Sequence, residues 1–403
     1  MDMKTAIKKT SEKAATLLRV ETFLLLFSLT LALVVFGDSL YSSFMSLFFQ
    51  EFGIPLGEIG LFFTVFSLTN ALVSIPAGYI SDRMGRKILI SCSLFFLAAV
   101  VLGYSLAETA AQLLTLRALH GASFGFIFPI ARAYVMDKTT EENRGQTMGA
   151  FIFIVSLAQM VAPTTGGILR DQLGRFHPLF YLSAVLAVGA GVFLLIAVKD
   201  FGTGFSMQKM RLPTRELFKN RVFTVILLMF GMLFLGGGIV GPFVSIFAME
   251  ELGMSYTSLG TLFSIYSIIY AVSQLVAGTL SDRYGRKTLL VYPLFIYVAG
   301  ILLSGLSPHQ WMFIFMYLCV AVGAGPYSTV AYSLIGDRVK PELRGTANGA
   351  ITTVQNCGLI IGPLVGSRIV DVTNVRVPFV ATAAVACATI AVLFILLPKG
   401  KDQ

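Results

Sequence analysis

Residues 78–87 read "GYISDRMGRK" and residues 278–287 read "GTLSDRYGRK". Each stretch holds one acid and three bases in a chain that is only 13% charged, and the two lie 200 positions apart in 403 residues. The match spreads outward from them. With the chain slid by 200, Gly53 meets Gly253, Gly60 meets Gly260, Phe63 meets Phe263, Ser67 meets Ser267 and Ala71 meets Ala271; over residues 53–87, 13 of 35 positions are identical. The register continues without a gap through Asp137 and Asp337, Gly149 and Gly349, Pro163 and Pro363, and Asp171 and Asp371. Apolar composition alone does not place charges, glycines and prolines in step, so the chain reads as two copies of one unit.

The unit is built for a bilayer. Hydrophobic residues make up 56% of the chain and the mean hydropathy is +0.81, which excludes an ordinary soluble domain. A spanning helix takes about 20 mostly apolar residues. The apolar runs are continuous rather than alternating, which predicts helices and not a β-barrel. The expected spans are 20–49, 57–80, 88–107, 111–137, 145–169, 178–198, 222–249, 257–280, 288–307, 310–336, 345–367 and 377–398. The expected fold class is therefore all-α integral membrane, with 12 transmembrane helices in two six-helix pseudo-symmetric bundles. Six is an even number, so both bundles enter the membrane in the same direction. The expected division is residues 1–199, a polar cytoplasmic linker at 200–220, and residues 221–403.

Placing the N-terminus inside gathers about 24 of the 30 Lys and Arg residues in the tails and inner loops, and leaves Arg170, Arg175, Arg368 and Arg376 outside. That bias predicts both termini in the cytoplasm of a cell that carries the protein in its plasma membrane. The net charge of +9 is then a topology signal and no evidence for nucleic acid, with tail lysines Lys4, Lys8, Lys9 and Lys13 meeting anionic lipid headgroups. Cys92, Cys319, Cys357 and Cys387 all fall in apolar spans without Cys-x-x-Cys spacing, and read as small buried apolar residues rather than a disulfide or metal framework. No cofactor and no metal is expected.

The repeated decapeptide resembles the hallmark of the major facilitator superfamily, Gly-x-Leu-(Ala/Ser)-Asp-Arg-x-Gly-Arg-(Arg/Lys). Here it stands at Gly78, Ser81, Asp82, Arg83, Gly85, Arg86 and Lys87, with Ile80 for Leu, and again at Gly278, Leu280, Ser281, Asp282, Arg283, Gly285, Arg286 and Lys287. Gly78 and Gly278 are expected to admit a neighbouring helix closely, and Gly85 and Gly285 to take a backbone conformation closed to side chains. The resemblance implies that Asp82 caps the N-terminus of span 11 across the seam between the bundles. It implies as well that Arg86 pairs with the acid ending span 4, Asp137, with Asp282, Arg286 and Asp337 as the second set. Such latches would hold the cytoplasmic ends together in one state of a rocking carrier.

Ionisable residues within the spans are few: Asp38 in span 1, and Arg117, His120 and Arg132 in span 4. A charge at membrane depth costs several kcal/mol unless it faces a cavity or finds a partner. The resemblance implies that spans 1, 4, 7 and 10 line a central cavity, which makes Asp38 and Arg117 candidate neighbours. An Asp alternating between an arginine and a proton would couple proton movement to conformational change. The open alternatives are a permanent structural pair, or Asp38 holding a cationic substrate. His120 reads first as a hydrogen-bonded bundle histidine and second as a proton relay. Arg132, about 7.5 Å from Asp137 along the helix, reads as a structural residue reaching toward the surface.

Pro163, Gly166 and Gly167 in span 5, and Gly349, Gly358, Gly362, Pro363 and Gly366 in span 11, are similar to the antiporter bend motif; small residues permit close packing and proline a bend point. Leu113, Arg117 and Gly121 resemble the span 4 motif tied to proton coupling in the same family. The cavity is expected to be mostly apolar and aromatic, with Phe44, Phe48, Phe243, Tyr317, Tyr327 and Tyr332, plus Asn70, Gln159, Gln274, Gln355 and Asn356 as polar members. The expected function is proton-coupled efflux of hydrophobic or amphipathic small molecules by a monomer working through alternating access. The alternatives are a proton-coupled symporter or uniporter of a metabolite such as a sugar or organic acid, and a lipid translocase. Neither His-Glu-x-x-His, Gly-x-Ser-x-Gly nor a phosphate-binding loop occurs in the sequence, so an enzyme is not expected.

Overall fold

A hydrocarbon environment leaves a backbone no solvent partner, so each apolar run closes its own hydrogen bonds as a helix. The computed structural model describes residues 24–139, 143–197, 215–340 and 343–397, with the side chains of Asp82, Arg144, Arg215 and Glu216 outside the described set. Twelve helices among the described residues are long and apolar enough to cross a membrane. In chain order these spans are Leu24–Ser42, Leu56–Ser81, Arg86–Tyr104, Ala110–Asp137, Gln146–Leu173, His177–Ala197, Arg221–Glu251, Tyr256–Tyr284, Arg286–Gly305, Gln310–Arg338, Arg344–Val372 and Val377–Leu396. The tail lysines and linker residues 200–214 lie outside the described residues; 215–219 form a short helix before span 7.

Three local departures from the expected helices have physical causes. The charged decapeptides are not loops. Helices Leu56–Met84 and Tyr256–Tyr284 run through them, and a single glycine turns each corner, Gly85 at φ +89° and Gly285 at φ +87°. No side chain adopts that backbone region readily. Span 1 is interrupted at residues 43–44 and resumes as Met45–Glu51, whereas its repeat partner, span 7, stays helical to Ile246 and then widens into a π-helical turn at Phe247–Glu251. Finally, Cys92, Cys357 and Cys387 are exposed, not buried, and Cys319 is half-buried; all four are free thiols. A flank facing lipid rewards an apolar side chain as much as a core does, so hydropathy does not separate the two.

Span 2 packs on span 4, span 3 on spans 4 and 6, and in the second half span 8 packs on span 10, span 9 on spans 10 and 12, and span 7 on spans 11 and 12. Spans 1–6 and 7–12 meet chiefly where span 5 crosses span 8 and span 2 crosses span 11. These crossings are backbone-close: a side chain at Gly60 would collide with the Pro363 carbonyl, and one at Gly260 with the Pro163 carbonyl.

Candidate functional site

A set of hydrogen bonds joins spans 1–6 to spans 7–12 in the half of the molecule remote from the charged turns, here the far end. Thr64 donates to the Ile360 carbonyl at 2.7 Å, Ser245 to the Ser43 carbonyl at 3.0 Å, and Thr164 to Ser264 at 2.8 Å. Farther out, Asp171 of span 5 accepts from the Thr257 and Tyr256 backbone amides at 2.8 and 3.3 Å, satisfying N–H groups that the first turn of span 8 leaves unpaired. The Tyr256 hydroxyl donates to Glu51 at 2.7 Å, Glu51 pairs with Arg170, and the Arg170 guanidinium lies 4.6 Å from the Tyr256 ring. Gln50 meets Glu250 across the same seam.

At the charged-turn end the two halves part. The expected close approach at Gly78 is not made, since a side chain there would meet open space, and one at Gly278 only Thr329 at 3.6 Å. Each turn binds within its own half: Arg86 to Asp137 at 2.8 Å, and Arg286 to Asp337 at 2.7 Å and to Asp282 at 3.4 Å. Arg83 and Arg283 lie over Tyr79 and Tyr284, and Lys287 donates to the Leu397 carbonyl at 2.8 Å. The capping role expected of Asp82 lies outside the described side chains.

Between these ends, span 4 brings its ionisable residues to span 1. Asp38 and Arg117 do not pair directly; His120 stands between them. Its Nε2 is 3.1 Å from Asp38 Oδ1, off the line of an aligned hydrogen bond, and its Nδ1 lies 3.3 Å from the Tyr104 hydroxyl and 3.5 Å from Arg117 Nη1. The Tyr41 hydroxyl donates to Asp38 Oδ1 at 2.9 Å. Arg117 donates through Nε to the Phe62 carbonyl at 3.3 Å and lies 4.5 Å from the Phe66 ring. Arginine can only donate, so Nδ1 beside it serves as acceptor and the imidazole proton sits on Nε2, facing Asp38. Arg117 and His120 are 4% and 1% exposed, and the Asp38 side chain 14%, so this charge set is nearly dry.

The second half supplies an aromatic wall. Tyr266 stacks on Tyr270 with centroids 6.3 Å apart, Tyr317 lies 5.2 Å from Tyr266, and Phe230 touches both Tyr327 and Tyr332. Gln274 donates to Ser328 at 3.0 Å; Asn70, Gln355 and Asn356 are half-buried, and Gln159 is exposed. Phe44, Phe48 and Phe243 do not line an open cavity. They are packed at the far end, Phe44 edge-on to Tyr256 and Phe48 on Phe176 and Phe180. Spans 5 and 11 stay helical through Pro163 and Pro363. Their glycines are contact points: Gly166 lies against the Leu40 carbonyl, Gly167 against that of Tyr256, and Gly358, Gly362 and Gly366 against span 7.

Tyr41 and Tyr104 escaped the sequence reading, as did Glu51, Arg170 and Tyr256. Tyr41 had a signal, one helical turn from Asp38; Tyr104 had none, because span 3 offers no charge to mark it. Asp171 stood in the repeat register without an assigned role.

The family model described as Major Facilitator Superfamily matches residues 27–236 and 226–403. An uncharacterized MFS-type transporter of Methanocaldococcus jannaschii is 26% identical over 346 residues, 84% of this chain and 89% of the relative. The multidrug resistance protein MdtG of Proteus mirabilis is 27% identical over 363 residues, 87% of this chain and 89% of that protein. Among solved structures, a bacterial homolog of the human lysosomal transporter Spinster, in an inward-facing and unoccupied conformation, shares the fold with a TM-score of 0.78 at 17% identity, covering 94% of this chain and 96% of its own.

Proposed function

The chain belongs to the major facilitator superfamily, a family of multi-pass membrane transporters of small molecules, and from that premise we propose that it is a proton-coupled exporter of hydrophobic or amphipathic compounds. Relatives named multidrug resistance proteins, at about a quarter identity over most of the chain, support the efflux reading. The observation that carries proton coupling is the buried Asp38, His120 and Arg117 set on spans 1 and 4. With Asp38 ionised, the pocket holds a charge pair bridged by the imidazole. Protonation of Asp38 removes the anion and leaves Arg117 with only carbonyl and ring partners, which changes how spans 1 and 4 pack.

Two six-span units, divided near residues 200–220, rock about the crossings of span 5 with span 8 and span 2 with span 11. The excess of Lys and Arg at the charged-turn end supports a cytoplasmic position for that end and for both termini, in a plasma-membrane protein. The open cleft therefore faces inward. The decapeptide turns close that face in the alternate state, each bringing its Asp to the facing bundle. Carriage is by a monomer.

Purified protein in liposomes tests the reading. A fluorescent hydrophobic substrate should be driven uphill by an imposed pH gradient, with matching proton movement. Transport unchanged after the gradient is collapsed would remove the proton from the mechanism.

A further inference from the structure

The interruption of span 1 at Ser43 and Phe44 lies between the proton cluster and the seam. In an unbroken helix each N–H bonds the carbonyl four residues back. Here the Phe44 N–H bonds the Tyr41 carbonyl at 2.9 Å and the Leu47 N–H bonds the Phe44 carbonyl at 3.0 Å, both three residues back. The Leu47 N–H is the group that would otherwise take the Ser43 carbonyl. That carbonyl accepts instead from the Ser245 hydroxyl of span 7 at 3.0 Å. Ser245 is 3% exposed, and an unmet polar group in such a place is costly. Phe44 crosses the same seam, its ring 5.5 Å from that of Tyr256 on span 8. Both residues of the break are thus held by the second half. Their repeat counterparts, Phe243 and Val244, lie inside unbroken helix, so the fold accommodates the continuous form at this position.

On its other side the break adjoins the carboxylate. Tyr41 donates its hydroxyl to Asp38 at 2.9 Å and gives its carbonyl to Phe44, so one residue belongs to both the proton cluster and the break. The titratable and charged groups around Asp38 are Tyr41 of span 1, Tyr104 of span 3, and His120 and Arg117 of span 4. Span 2 adds the Phe66 ring, span 6 brings Phe180 to Tyr41 and Ser183 to Gly37, and span 5 brings Gly166 to the Leu40 carbonyl; none of these titrates. A hydrogen bond to a carboxylate is stronger than one to a neutral carboxyl, so protonation of Asp38 loosens this turn. Withdrawal of Ser245 leaves the Ser43 carbonyl in need of a donor, and the Leu47 N–H, four residues on, supplies one by closing the helix.

Resting on the proposed proton coupling, we propose that the break in span 1 is a two-state joint and that Ser245 is the positioning residue that ties it to the seam. With the far end closed, Ser245 holds span 1 broken. With the far end open, span 1 closes its own bond and the turn carrying Asp38 shifts against His120. Proton and seam thereby bias one element, which is what coupling between separate sites requires.

Spin-label distances test this without substrate. The labels are Leu106→Cys and Leu306→Cys, both exposed at the far end, in protein whose Cys92, Cys319, Cys357 and Cys387 are replaced by alanine. The ratio of open to closed populations is read in nanodiscs at about pH 5.5 and about pH 8. The parent protein should change its ratio between the two. Ser245→Ala should raise the ratio roughly fivefold, the effect of one lost neutral hydrogen bond, and should flatten its response to pH. Thr64→Val removes a different hydroxyl-to-carbonyl bond of the seam, to Ile360, and should raise the ratio while the pH response stays. Passive exchange of the fluorescent substrate by both variants shows that they are folded. A ratio that does not rise in Ser245→Ala, a pH response retained there, or one lost equally in Thr64→Val would overturn the inference and leave proton coupling standing. A parent that ignores pH would overturn it too, and uphill transport in liposomes then decides the proton reading separately.

Discussion

At the residue scale, the informative fact is that His120, not Arg117, touches Asp38. Asp38 and Arg117 were legible because charges are scarce in apolar spans and each must find company. Which partner each finds depends on rotamers and on span 3, which sequence does not display. Asp38→Asn should retain expression and passive exchange of substrate while uphill, gradient-driven transport falls roughly tenfold or more; equal uphill transport by the variant would deny Asp38 the coupling role. His120→Gln keeps a donor toward Asp38 and leaves the carboxylate in place, so pH-dependent uphill transport should persist while substrate binding is unchanged. A proton flux assay across external pH of about 5.5 to 8 reads this directly: a sloped profile is expected, and a flat one would move the coupling role from Asp38 to the imidazole.

At the element scale, the far-end seam shows a repeat used unequally. Asp171 takes the amides that start span 8, while its counterpart Asp371 lies beside Gly57 at the start of span 2 and is bound by Arg368. Glu51 reaches Tyr256 and Arg170, whereas Glu251 pairs with Arg376 inside its own half. The span 5 and span 8 crossing therefore carries the polar lock. Tyr256→Phe deletes a hydrogen bond to a carboxylate worth about 1.5–3 kcal/mol. The expected outcome is a population shift that opens the far end, read as faster labelling of a single cysteine placed in the seam. Gly167→Leu should go further, because the Tyr256 carbonyl occupies the space its side chain needs; labelling that stays as slow as in wild type would contradict this. Helix existence was legible throughout, since continuous apolar runs allow little else in a bilayer. The break at residues 43–44 and the π turn at 247–251 were not, because both segments are equally apolar and their difference lies in packing at the seam.

At the scale of the whole molecule, duplication was readable from one decapeptide and its register, and the twelve spans followed from hydropathy. The open end was not readable. The charged turns, the loudest signal in the chain, pair with acids of their own half, and hydropathy does not say which end of the seam is joined. The far-end network, spread over Glu51, Arg170, Asp171 and Tyr256, is the interface that is formed. Distances between spin labels at both ends test the rocking claim most directly. With Cys92, Cys319, Cys357 and Cys387 replaced by alanine, the label pairs are Met84→Cys with Tyr284→Cys at the charged-turn end and Leu106→Cys with Leu306→Cys at the far end, all four at exposed positions. Addition of substrate or a drop in pH should shorten one distance and lengthen the other in the same sample. Distances that both stay fixed, or that change with the same sign, during measured transport would contradict two rigid halves rocking about a central seam.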